Sequence, residues 1–151
     1  MLLTGTHHRS LDDKCRVALP KPLREGLETG ENSNFYLAPG TDGALALYPE
    51  STFRRLGERL QAATPNARGV REYARLFFSR AAAVRPDKQG RLRIPTELAE
   101  FAKLSGEVVL VGVQDHVEIW PRASWEQYIE QRADQYDQLA ESAFLPPQQE
   151  M

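Results

Sequence analysis

The strongest constraint on this chain is a phrase written twice. DDKCRVALP, Asp12 to Pro20, returns as PDKQGRLRIP, Pro86 to Pro95. Asp87 stands 75 positions after Asp12, and the same offset carries Arg16 to Arg91, Val17 to Leu92, Leu19 to Ile94 and Pro20 to Pro95. A unit of roughly 50 residues has too little interior to be stable alone. Two copies in one chain can share a core, and a two-fold pseudo-symmetric pair is the economical arrangement. The duplication thus supplies the chain with its own dimer partner, and an α+β fold is expected.

The match continues beyond the phrase. KPLREGL and PTELAEF, with Leu23 and Leu98 equivalent, each predict a short helix opened by a proline-containing turn. NFYLAPGTDGALALYP (Asn34–Pro49) and EVVLVGVQDHVEIWP (Glu107–Pro121) each predict a hairpin. Thr41-Asp42-Gly43 is a strong turn signal there and Gln114-Asp115-His116 a weaker one. Each unit is then strand, short helix, strand, strand. Both hairpins stop at an aromatic and a proline, with Ser51 and Ser124 available as helix caps. Phe53, Leu56 and Leu60 predict one helix. A break at Thr64-Pro65-Asn66 leads to a second, carrying Val70, Tyr73, Ala74 and Phe77. Trp125, Tyr128, Ile129 and Tyr136 predict a single C-terminal helix, with FLPPQQEM fraying at its end.

The net charge of −2 hides an uneven distribution. Basic residues gather around both phrases: Arg9, Lys14, Arg16, Lys21 and Arg24 in the first region, and Arg68 through Arg93 in the second. After Trp125 the acids Glu126, Glu130, Asp134, Asp137, Glu141 and Glu150 face only Arg132. The total therefore misleads about local potential. Hydrophobic residues at 41% suffice for a core. No apolar run reaches the roughly 20 residues of a membrane span, and MLLTGTHHRS lacks the apolar stretch of a signal peptide. One cysteine, Cys15, forms no internal disulfide, so a cytoplasmic location is expected.

As strands, RVAL and RLRI turn Val17, Leu19, Leu92 and Ile94 to the core and Arg16, Arg91 and Arg93 to solvent. Asp12 and Asp87 are placed to accept a bidentate hydrogen bond from the arginine four residues on. One reading is a surface ion pair that shapes a loop and contributes little stability. The other is an arginine held for double-stranded DNA, where its planar fork matches guanine O6/N7 or phosphate oxygens. Lys14, Lys21, Arg24 and Lys88 would add phosphate contacts. Arg68, Arg71 and Arg75 lie near one helix face, where they contact either DNA or acids of the protein itself. His7, His8 and His116 have no metal-ligand spacing. Lys14 and Arg16 beside Cys15 imply a somewhat lowered thiol pKa. Neither a catalytic constellation nor a phosphate or dinucleotide loop is present, so no enzyme activity, cofactor, metal or small-molecule ligand is expected. Two further readings stay open: an assembly module whose arginines bind acidic partners or its own tail, and, with minimal support, a hydrolase using His7, His8 and the aspartates.

Gly5, LDDKCRVALP, DKQGRLRIP, ALALYP, VVLVG and VEIWP together resemble the MraZ family of bacterial regulators, over residues 5 to 128. The resemblance implies two interlocked SpoVT/AbrB-like swapped-hairpin half-units forming a small β-barrel. These would span 5–52 and 81–124, with a helical connector at 53–80 and a C-terminal helix and acidic tail at 125–151. It implies a nucleoid-associated homo-oligomeric ring that binds short G-rich direct repeats upstream of its own operon, the division and cell-wall gene cluster. A non-specific nucleoid protein is the alternative. Asp12 with Arg16 and Asp87 with Arg91 match the family's signature, and Lys14 matches its usual lysine. Cys15 departs from it, standing where the second copy has Gly90. If that position needs a positive φ, cysteine costs about 1 kcal/mol relative to glycine.

Overall fold

The computed structural model describes residues 2–28, 34–63 and 67–146. The expected break at Thr64-Pro65-Asn66, Glu150 and the last residues of FLPPQQEM lie outside them. The elements run β1 (Thr6–Ser10), β2 (Arg16–Ala18), α1 (Lys21–Leu27), β3 (Phe35–Pro39), β4 (Leu45–Pro49), α2 (Glu50–Ala62), α3 (Arg68–Arg80), β5 (Ala82–Val84), β6 (Arg91–Arg93), α4 (Thr96–Phe101), β7 (Glu107–Gly112), β8 (Val117–Pro121), α5 (Arg122–Arg132), a 3-10 turn (Ala133–Gln135) and α6 (Tyr136–Ala143).

Six strands form an antiparallel sheet in the order β1-β7-β8-β4-β3-β5, and β2 pairs with β6 in a separate ribbon. Both follow one pseudo-two-fold axis. Exchanging each strand for its copy reverses the order into itself. In the ribbon Val17 faces Leu92, its own counterpart. In the sheet Ala46 faces Glu118, which sits at the same place in the second hairpin. The halves also trade strands: β1 pairs with β7 of the second hairpin and β5 with β3 of the first. Neither half is complete alone, as the burial argument requires.

Period-two alternation sorts the sheet into layers. Phe35, Leu37, Leu45, Leu47, Val108, Leu110, Val117 and Ile119 face inward, and each is essentially inaccessible. Over them lie Val17, Leu19, Leu92 and Ile94 from the ribbon and Leu23, Leu27 and Leu98 from α1 and α4. Burying each such side chain contributes about 1.5–3 kcal/mol, so the ribbon is fixed to the core along its whole inner face. Alternate residues point the other way. Tyr36 and Tyr48 meet Phe53 of α2, which meets Phe77 of α3. Trp120 packs on Trp125 and Tyr128 of α5.

Several expectations are corrected. The sheet is open rather than a closed barrel, with β1 and β5 at its edges. Closure would need the ribbon to bond those edges, but each ribbon strand has three residues and soon meets a proline, Pro20 or Pro95. The edge strands β1 and β5 were not expected as elements of the repeat; β1 is polar (THHRS) and β5 is short. The C-terminal helix is not single: a 3-10 turn at Ala133–Gln135 separates α5 from α6. Ser51 and Ser124 are not the N-caps, because Pro49 and Pro121 hold those positions in α2 and α5.

Candidate nucleic-acid interface

Two loops built on one plan lead into the ribbon. In the first, Asp12 Oδ1 accepts the backbone N–H of Lys14 at 3.0 Å and of Arg16 at 2.8 Å. Asp12 Oδ2 accepts Nε of Arg16 at 2.7 Å. In the second, Asp87 Oδ1 accepts the N–H of Gln89 and of Arg91, both at 2.9 Å, and Oδ2 accepts Nε of Arg91 at 3.0 Å. The aspartate thus shapes the loop with one oxygen and holds the arginine with the other. These bonds, led by the backbone N–H of Arg16 and Arg91, hold both carboxyls below the usual aspartate value.

The bidentate pairing expected between each aspartate and its arginine is not formed. Only Nε of the guanidinium is engaged, since Oδ1 is taken by the backbone. Among the described residues, no other hydrogen bond reaches the terminal nitrogens of Arg16 or Arg91. Each arginine is therefore anchored at its inner edge, with its side chain partly accessible, 25% for Arg16 and 32% for Arg91. A guanidinium fixed this way has less side-chain freedom to lose on meeting an anion.

The loops are locked to each other across the axis. Leu19 donates its N–H to the carbonyl of Gly90 and Ile94 to that of Cys15, both at 2.9 Å. The turn residues Cys15 and Gly90 are left-handed, with φ of 58° and 78°. Cysteine therefore occupies a position suited to glycine, yet the first loop keeps the hydrogen bonds of the second. A side chain at Gly90 would overlap the Arg24 guanidinium, which lies over that loop. The residue equivalent to Arg24 on α4 is Ala99. The copies thus differ as a matched pair, glycine beneath arginine on one side and cysteine with alanine on the other.

Cys15 corrects another expectation. Burial and the Asp12 carboxylate push its thiol above its ordinary value, outweighing Arg93. The expected lowering does not occur.

The remaining basic residues divide by layer. Arg93 is exposed on the ribbon opposite Arg16, while Ala18 takes the equivalent place opposite Arg91. Lys14 and Lys88 are exposed at the loop tips. Lys21 is exposed at the start of α1, with Glu25 3.9 Å away. Arg68, Arg71 and Arg75 are exposed on α3, whose Phe77 packs on the far face of the sheet from the ribbon. The structure therefore does not join them to the two loops. The place of Arg24 over Gly90 was not foreseen, although the paired differences Cys15/Gly90 and Arg24/Ala99 signal it across the repeat.

Comparison with known proteins matches the chain in two successive segments. A family model described as "MraZ protein, putative antitoxin-like" matches residues 2–72 and 77–145. A protein of Pelotomaculum thermopropionicum named transcriptional regulator MraZ is 40% identical over 141 residues, covering 93% of this chain and 94% of that protein. Proteins of the same name from Pediococcus pentosaceus and Moorella thermoacetica are 39% and 37% identical, with coverage of 93% of this chain and 96% and 95% of theirs. With both halves matched and relatives similar along almost their whole length, the chain belongs to the MraZ family.

Proposed function

We propose that the chain is a sequence-specific DNA-binding transcriptional regulator, acting by binding rather than by catalysis. The name of its relatives supports a regulator. The observation that carries the reading is the pair of arginines held by Asp12 and Asp87 through Nε, which leaves their terminal nitrogens available to an anion. A two-stranded ribbon fits the major groove of B-DNA, and arginine reads guanine O6/N7 there. Arg16, Arg91 and Arg93 are assigned to base edges, and Lys14, Lys21, Arg24 and Lys88 to phosphates, which position without specifying.

Residues 5–52 and 81–124 serve as two SpoVT/AbrB-like units of swapped-hairpin type, joined by 53–80 and followed by 125–151. The regulator assembles as a ring, associates with the nucleoid, and engages short direct repeats upstream of its own operon, the division and cell-wall gene cluster. One chain offers two loops, so several copies on adjacent sites would gain affinity through avidity. An assembly module is the second reading, favoured by apolar surface left exposed on α3 and α6. A mobility-shift titration on the DNA upstream of the gene, beside a scrambled duplex and at several salt concentrations, separates the readings. Salt-dependent binding that resists the competitor is the expected result. Equal binding to both duplexes would leave a non-specific nucleoid protein, and no binding would leave the assembly module.

A further inference from the structure

The outer face of the ribbon is a grid of four positions. Strand alternation puts Arg16 and Ala18 of β2, and Arg91 and Arg93 of β6, on the face opposite the buried Val17 and Leu92. Arg16 stands across from Arg93, and Ala18 across from Arg91. The pseudo-two-fold axis passes between Val17 and Leu92, so it exchanges Arg16 with Arg91 and Ala18 with Arg93. The first exchange keeps the residue and the second does not. Three corners of the grid are therefore arginine and the fourth is alanine. Burial follows the axis all the same: Arg16 and Arg91 are half-buried, Ala18 and Arg93 exposed. The asymmetry is one of side chain and not of backbone.

Like charges directly opposite each other on paired strands are destabilising. Arg16 is offset by Asp12, but among the described residues Arg93 makes no hydrogen bond or ion pair. An acceptor-rich surface laid over the face would supply the partner that Arg93 lacks. In the major groove arginine suits guanine O6/N7, and the methyl of alanine suits that of thymine. Residues two apart on a strand lie about 6.6 Å apart, roughly two base-pair steps, so the corners meet different base pairs. We propose that Arg93 and Ala18 set unlike base preferences at two positions related by the local two-fold axis, guanine under Arg93 and thymine under Ala18. One side chain thus breaks the symmetry of what a two-fold scaffold reads. The inference rests on the reading of the ribbon as the DNA-contacting element, and it adds which base each unmatched corner selects.

The test is selection by the full chain from a pool of random DNA duplexes, read by sequencing, for wild type, Arg93→Ala and Ala18→Arg. Both positions are exposed, and the thermal midpoint confirms the fold of each variant. Wild type is expected to select guanine on one strand and thymine on the other, at equal distances from a local two-fold axis. Arg93→Ala should lose the guanine preference alone, by about 5- to 150-fold on defined duplexes. Ala18→Arg should turn the thymine position to guanine and leave the others. Should Ala18→Arg fail to fold, Arg93→Ala decides alone. An unchanged consensus for Arg93→Ala, or a loss spread evenly over every position, overturns the inference while the DNA reading stands. So does a folded Ala18→Arg that gains no guanine. A wild type that selects no consensus overturns sequence-specific reading and this inference with it.

Discussion

Gly90→Ala isolates the backbone geometry on which the second loop depends. Gly90 has φ +78°, a region that costs an L-residue about 1–2 kcal/mol. The new methyl would also overlap the Arg24 guanidinium, but that group is the far end of a flexible side chain and can move away. The backbone term should therefore dominate, with a net loss of about 1–2 kcal/mol. For a chain of this length 1 kcal/mol shifts the thermal midpoint by about 3 °C, so a fall of about 3–6 °C is expected at fixed protein concentration. Arg24→Ala in the same background should recover less than about 0.5 kcal/mol, since it relieves only the crowding. The converse substitution, Cys15→Gly (φ 58°), should raise the midpoint by up to about 3 °C. Full rescue of Gly90→Ala by Arg24→Ala would refute the reasoning, making crowding and not the left-handed backbone the cost. So would a neutral Gly90→Ala.

Three further outcomes follow from other parts of the molecule. His116 lies between Asp115 at 2.8 Å and Glu118 at 3.4 Å, and the Glu118 bond first of all raises its pKa while that of Glu118 falls. Stability from His116 is full below its ordinary value of 6.5 and is lost as pH rises through the higher folded value; that from Glu118 is lost as pH falls below 4.5 toward its lower one. The thermal midpoint should thus decline with pH above about 6.5, and Glu118→Gln should flatten that decline. Trp125→Ala removes a half-buried ring that packs on Trp120 and Tyr128, so a loss of about 2 kcal/mol and a weakened near-ultraviolet dichroism are expected, with an unchanged urea midpoint the contrary result. Asp12→Asn should weaken specific DNA binding by loosening Arg16 while leaving the ribbon folded, and unaltered affinity in the same titration would remove the positioning role of Asp12.

Much of the fold was legible because the repeat made each weak signal count twice. Val17 and Leu19 alone are a short strand of uncertain worth; with Leu92 and Ile94 in register they define a ribbon whose four side chains are buried. The turn at Thr41-Asp42-Gly43 was readable from its chemistry, and Asp42 and Gly43 both take positive φ, at 59° and 82°. The edge strands were not legible. β1 is polar at every position, and its place is set by pairing with β7 and by Gly112, where any side chain would strike the backbone of Leu3 and Thr4. The bidentate pairing failed as an expectation because side-chain spacing says nothing of backbone N–H groups, and these claim Asp12 Oδ1 and Asp87 Oδ1 first. The lowered thiol pKa expected at Cys15 rests on its sequence neighbours Lys14 and Arg16, and burial, which the sequence pattern does not report, reverses it.

The central claim is that the two held arginines read DNA. It is tested most directly by comparing wild type with the Arg16→Ala/Arg91→Ala double variant on the upstream DNA and on a scrambled duplex, at one salt concentration and with matched thermal midpoints. Each arginine that reads a guanine is worth about 1–3 kcal/mol of discrimination, so the double variant should lose at least about 30-fold in its preference for the upstream sequence. Residual binding should persist through the lysines and Arg24, with only the smaller preference that Arg93 supplies. A double variant that keeps the wild-type preference would contradict the account and return the aspartate–arginine pairs to the role of loop-shaping ion pairs.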